Sequence, residues 1–152
     1  MGIEARLKEL GLELPSAATP MANYVPAVRS GNLVFLSGHG PLEGNRLVTG
    51  KLGGDLTVEE GYRAARLVAV GLLGSLKALV GDLDRVRRIV KLLGLVNCDS
   101  TFTQQPQVIN GASDLLFEVF GEKGKHARSA VGTNSLPLDI AVEIEMIVEV
   151  EG

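Results

Sequence analysis

Near the end of the chain the run "AVEIEMIVEV", residues 141–150, alternates without a break. The even positions Val142, Ile144, Met146, Val148 and Val150 are apolar, while the odd ones carry Glu143, Glu145 and Glu149 around Ile147. A period of two over ten residues belongs to a strand with one dry face and one polar face. Other elements must cover the dry face, and their signature is a change of period from two to about 3.6.

Two windows show that change. "TVEEGYRAARLVAVGLLGSLKALVG" opens with a capping box, Thr57 and Glu60, and stops at Gly81. Ala65, Val68, Ala69, Leu72, Leu76 and Leu79 form its apolar stripe. Gly61, Gly71 and Gly74 interrupt this helix at a cost of roughly 1 kcal/mol each relative to alanine, so a packing role is expected, close approach of the sheet. "QQPQVINGASDLLFEVFGEKG" starts with Pro106 in its first turn and stops at Gly121, with Val108, Ala112, Leu115 and Val119 on one face.

Strands alternate with these helices. "YVPAVRSGNLVFLSGHGP" reads as two strands about a Ser-Gly-Asn turn, and Pro26 marks the first as an edge strand or a bulge. "EGNRLVTGKLGGD" reads as a glycine-rich loop with a short strand at Arg46–Thr49. "RVRRIVKLLGLVNC" is apolar at both parities, which predicts a central strand covered on both sides. Two final strands are joined through "NSLPLD". Before all of these, Ile3–Leu10 makes a short amphipathic helix ended by Gly11, and Pro15 and Pro20 hold "LPSAATPMANY" extended. The plan is α+β, ββαβαββ after an N-terminal helix and arm over residues 1–20. It is one domain of 152 residues, a mixed sheet with two long helices on one face. A second subunit is the simplest cover for the other face.

Composition narrows the function. A net charge of -3 and 4% aromatic residues give little for a nucleic-acid track or for stacking on bases. The short basic cluster Arg85, Arg87, Arg88 and Lys91 reads as the solvated start of a strand. The single cysteine, Cys98, fits a reducing compartment, and no run approaches the ~18 apolar residues of a membrane span. The first residues hold no uninterrupted apolar h-region, so a cytoplasmic protein is expected. His39, His126 and Cys98 lack metal-ligand spacing. Gly44 to Lys51 has one residue too many for a phosphate-binding loop, and Leu52 stands where that motif needs Ser or Thr. "SGHGP" is a turn whose amides could also cradle an anion. Neither histidine has a serine or cysteine partner visible in the sequence.

Arg128 and Glu143 are the charges that stand out in the closing strands. They lie equally far from Ser135 and Leu136, so a hairpin centred there would set them opposite each other on one face. That pairing has two readings: a cross-strand ion pair worth about a few tenths of a kcal/mol, or an arginine fork for a substrate carboxylate with a glutamate to handle a proton or water.

Taken together, "YVPAV" at Tyr24, "GNLVFLSG" ending at Gly38, "VING" with Asn110, and "ARSAVGTNSLP" followed by "VEIE" resemble the YjgF-like reactive intermediate deaminase (Rid) superfamily, which also carries the L-PSP endoribonuclease name. The match runs from Tyr24 to Val150. The resemblance implies a chorismate-mutase-like fold and homotrimers with an internal barrel and ligand clefts between subunits. It implies that Arg128 binds the carboxylate of an imino or enamino acid, that Glu143 helps activate water, and that Tyr24, Ser37, Gly38 and Asn110 line the cleft. The implied reaction is cofactor-free hydrolysis of an imine or enamine to a 2-oxo acid and ammonia. Ala130 stands where many deaminases of the family have cysteine, and "SGHG" replaces "SGQ". The N-terminal helix and the stretches "TGKLGGDLTVEEG" and "VFGEKGKHARSAVG" look like a distinct subgroup.

Overall fold

The computed structural model describes residues 2–17 and 22–152. Helix α1, Ile3–Glu9, is followed by an arm without regular secondary structure over residues 12–17; the rest of the expected extended arm, 18–20, lies outside the described residues. Strands β1 (Ala27–Ser30), β2 (Leu33–His39), β3 (Leu42–Glu43) and β4 (Arg46–Leu47) precede helix α2 (Val58–Val80). Strand β5 (Val86–Asn97), helix α3 (Gln105–Phe120), β6 (Ala127–Thr133) and β7 (Val142–Val150) complete the chain. The main sheet has the order β1-β2-β7-β5-β6, and β3 and β4 form a separate small hairpin.

The helices form where the periods place them. Thr57 and Glu60 make both halves of the capping box, and Gly81 closes α2 at φ 86°. The stripe on α2 is buried from Ala65 to Leu76, but Leu79 is 44% exposed, so the apolar seam ends one turn early. On α3, Val108, Ala112, Leu115 and Val119 are all buried. Both helices cover one face of the sheet and meet each other at Gly111, where a Cβ would strike the Tyr62 carbonyl. Gly61 and Gly74 of α2 serve other neighbours than the sheet. A Cβ on Gly61 would lie 2.7 Å from Leu52 and 3.0 Å from Val108, and one on Gly74 would lie 2.5 Å from the Pro15 carbonyl, where the arm crosses the helix.

The even side chains of β7 are buried beneath the helices, as their alternation requires. Pro26 immediately precedes the edge strand β1. One expectation fails: β6 and β7 do not form a hairpin. Strand β6 pairs in parallel with β5, and β7 pairs antiparallel with β5 on its other side and with β2. The reason is the crossover: β5, α3 and β6 form a βαβ unit, which sets β6 beside β5 and leaves the far side of β5 for the last strand. The link from β6 to β7 passes Leu138 and Asp139, both at φ 57°. Fully buried Asn97, at the end of β5, gathers this link by donating to Asp139 Oδ1 at 3.0 Å and to the Ile140 carbonyl at 3.1 Å. Lys51 donates to Asn97 Oδ1 at 2.9 Å and to the Asn134 carbonyl.

The second face of the sheet is uncovered by the described residues. Val28, Leu33, Phe35 and Val131 are 37–53% exposed there, while Leu93 and Leu95 are half-buried.

Candidate functional site

Register decides what each candidate can touch. Arg128 aligns with Leu92 on β5, and Leu92 aligns with Met146 on β7; both neighbours are buried under the helices. Glu143 aligns with Leu95, three residues further along β5. An odd offset means opposite faces. Arg128 and Glu143 therefore lie on opposite faces of the sheet with β5 between their strands, and the expected pairing on one face does not form.

Arg128 opens onto a cleft of about 440 Å³ between α3 and β6, lined also by Asn110, Ser113, Phe117, Lys125 and His126. Its Nη1 donates to Ser113 Oγ at 3.0 Å, and its Nη2 lies 3.4 Å from the Pro106 carbonyl. Ser113 Oγ is also 2.9 Å from His126 Nε2, and His126 Nδ1 is 2.6 Å from the Gly124 carbonyl. For a neutral imidazole only one arrangement of protons satisfies this chain. A guanidinium only donates and a carbonyl only accepts, so His126 carries its proton on Nδ1, and the Ser113 hydroxyl accepts from Arg128 while donating to Nε2. Burial lowers the His126 pKa, the Gly124 bond partly opposes that, and the Arg128 charge lowers it further. A pKa below the ordinary 6.5 favours the neutral imidazole near pH 7, the form this arrangement describes. Arg128 has no carboxylate partner among the described residues, and its remaining N–H groups are free to bind.

Tyr24, Ser37 and Gly38 line a different cleft, of about 790 Å³, at the β1–β2 edge. Between Leu36 and His39 the β2–β7 register shifts, a bulge that crowds Ser37 and Gly38 onto the open side. Ser37 Oγ donates to the Val25 carbonyl at 2.7 Å. His39 turns inward, with Nδ1 2.7 Å from the Ser37 carbonyl and Nε2 2.7 Å from Ser75 Oγ on α2. Burial lowers its pKa, against a smaller opposing effect of the Ser37 bond. Glu143 lies over Gly38, where a Cβ would be 2.6 Å from Oε2, so glycine is what leaves room for this carboxylate. Glu143 makes no side-chain hydrogen bond or ion pair among the described residues. Burial, and then the charge of Glu145, raise its pKa.

The sequence candidates thus fall into two groups: Arg128 with Asn110 at the β6 edge, and Tyr24, Ser37 and Gly38, with Glu143 beside them, near the β1 edge. Sequence reading missed Ser113 and Ser75 and found no serine partner for either histidine, yet both histidines have one. Asn110, Ser113 and Phe117 stand at i, i+3 and i+7 on α3, so helical spacing alone could have put them on one face.

The family described as "YjgF/chorismate_mutase-like, putative endoribonuclease" matches residues 4–150. Protein TCP17 of Trypanosoma cruzi is 48% identical over 149 residues, covering 97% of this chain and 93% of that protein. The crystal structure of Atu1372 from Agrobacterium tumefaciens, described as of unknown function, is 51% identical with a TM-score of 0.91, covering 98% of this chain and 92% of that one. A protein from Shewanella oneidensis, described as a putative endoribonuclease, is 36% identical with a TM-score of 0.95, covering 99% of this chain and 100% of that one.

Proposed function

The chain belongs to the YjgF/chorismate-mutase-like family, and on that premise we propose that it binds small 2-oxo or imino carboxylates in clefts between the subunits of a homotrimer and hydrolyses imines or enamines there without a cofactor. The observation that carries this reading is Arg128: a half-buried guanidinium, held by Ser113, opening onto a cleft and lacking any carboxylate partner among the described residues. An arginine so held presents planar donors at the geometry of a carboxylate.

Assembly supplies what one chain separates. The Arg128 and Tyr24 groups sit at opposite edges of the sheet, so head-to-tail association would set one copy's Arg128 and Asn110 against the next copy's Tyr24, Ser37, Gly38 and Glu143. Head-to-tail contacts of this kind close into a ring when the rotation between copies is one third of a turn, which is the arrangement proposed. The exposed apolar residues of the open face, Val28, Leu33, Phe35 and Val131, favour burial in that assembly.

In the cleft, Arg128 anchors the carboxylate and fixes the imine carbon. Water adds to that carbon, the C–N bond breaks, ammonia leaves, and the water oxygen becomes the carbonyl of the 2-oxo acid. Glu143, with its pKa raised by burial, takes the proton from water and returns it to the departing nitrogen. Ala130 favours a second reading, binding without turnover, because a methyl group neither holds nor activates water.

An imino acid generated in situ by an amino-acid oxidase tests the first reading. The protein speeds 2-oxo acid release, and Arg128→Ala abolishes the gain; no acceleration over buffer across several amino acids refutes hydrolysis. Melting-temperature rises with 2-oxo acids that vanish in Arg128→Ala, without acceleration, establish the second reading. Light scattering tests the trimer directly. RNA cleavage is the least suited activity for a chain of charge -3 with 4% aromatic residues.

A further inference from the structure

The 790 Å³ cleft does not end at Ser37 and Gly38. It continues into the helix layer, walled by Leu14 and Pro15 of the arm, Leu47 of the small hairpin, and Leu67 and Val70 of α2. Among the described residues its only charged lining groups are Glu13 and Glu43, which repel rather than attract a second carboxylate. Gly71 adds an independent observation. Neighbours crowd Gly61 and Gly74, but among the described residues a Cβ on Gly71 would meet only His39 Cδ2, at 3.9 Å. No packing partner among the described residues requires glycine there, and what its missing side chain leaves open is the cleft.

We propose that this cleft receives the uncharged, apolar side chain of the ligand, so that the protein selects branched or aromatic 2-oxo and imino acids over pyruvate-sized or dicarboxylic ones. The ligand's head rests on the carboxylate reading of Arg128; its tail rests on this cleft alone. A methyl side chain would leave most of the space to water, whereas each buried methylene tightens binding by roughly three- to fourfold.

The test titrates the full-length protein with pyruvate, 4-methyl-2-oxopentanoate and 2-oxoglutarate by calorimetry. The wild type is expected to prefer 4-methyl-2-oxopentanoate over pyruvate by at least about tenfold, and to bind 2-oxoglutarate more weakly than 4-methyl-2-oxopentanoate. Gly71→Leu fills the cleft and brings the first ratio close to one; Gly71→Ala, which adds a single methyl, lowers it part of the way. A ratio near one in the wild type overturns the proposal, as does a tenfold ratio that survives Gly71→Leu. A neutral probe, 4-methylpentanamide, separates tail from head. If no carboxylate binds, the carboxylate reading fails, and amide shifts at Val70 and Gly71 on adding this probe still sustain the cleft. No shift there overturns it.

Discussion

Replacing Gly71 with alanine isolates one consequence of the packing. Alanine is favoured over glycine within a helix by about 1 kcal/mol, and among the described residues the new methyl at Gly71 has only His39 Cδ2 nearby, at the ordinary contact distance of 3.9 Å. The full propensity gain is therefore available. For a chain of this length it raises the melting temperature by about 2–4 °C. Three residues along the same helix the sign reverses, because a methyl at Gly74 would sit 2.5 Å from the Pro15 carbonyl and must displace the arm. Overpacking of this kind costs about 1–3 kcal/mol, more than the helix regains. Gly111→Ala is worse, since its methyl would run into the Tyr62 carbonyl on the backbone of α2. Denaturant unfolding of the three variants at one protomer concentration reads the order directly, with unchanged slopes showing that stability alone has moved. A Gly71→Ala variant that loses as much stability as Gly74→Ala would show that the space beside Gly71 is filled, and the reasoning about that cleft would fall with it.

Removing the Ser113 hydroxyl frees the Arg128 guanidinium: Ser113→Ala weakens 2-oxo acid binding by about five- to tenfold in calorimetry, and Ser113→Thr, which keeps the hydroxyl, restores most of it. NMR should find the His126 proton on Nδ1 near pH 7; a proton on Nε2 would contradict the hydrogen-bond chain. Burial lowers the pKa of His39 and of His126, so the unfolded chain binds the extra protons first and stability falls as pH drops below about 6.5. Chemical denaturation between pH 7.5 and 5.5 measures the fall, and His39→Gln should flatten it. Glu143 has the opposite sign. Its raised pKa gives a contribution that is present below the unfolded value near 4.5 and lost as pH rises through the folded one, so Glu143→Gln should gain stability over the wild type more at pH 7 than at pH 4.

The elements were legible wherever a period and a cap agreed. Thr57, Glu60 and Gly81 delimit α2, Pro106 and Gly121 delimit α3, and the alternation of β7 states which of its faces is dry. Pairing order was not legible in the same way. "NSLPLD" looks like a hairpin turn because its strands are adjacent in sequence. What prevents that hairpin is distant: the α3 crossover, and the hydrogen bonds by which Asn97 and Lys51 hold the link from β6 to β7. The same distance hid the serines, since Ser75 and Ser113 are identified as partners of His39 and His126 only by which helix covers which strand.

The misplaced strand also changes what the candidate residues mean. In a hairpin, Arg128 and Glu143 would have neutralised each other, and a cross-strand ion pair would have sufficed to explain both. With β5 between them, each lies in a different environment and lacks an opposite charge among the described residues: the guanidinium is held by a neutral hydroxyl, and the carboxylate is half-buried over Gly38 with its pKa raised. Side chains cannot pass through a sheet, and the three-residue offset along β5 fixes their opposite faces whatever rotamers they adopt. A small ligand that touches both groups must therefore bridge two copies of the chain. That gives the proposed trimer and its proposed hydrolase activity a test in solution: mixing inactive Arg128→Ala with inactive Glu143→Gln, under conditions where subunits exchange, should restore activity in the clefts that pair an intact Arg128 with an intact Glu143. If both residues of a site came from one chain, every cleft in the mixture would carry one lesion, and no activity would return.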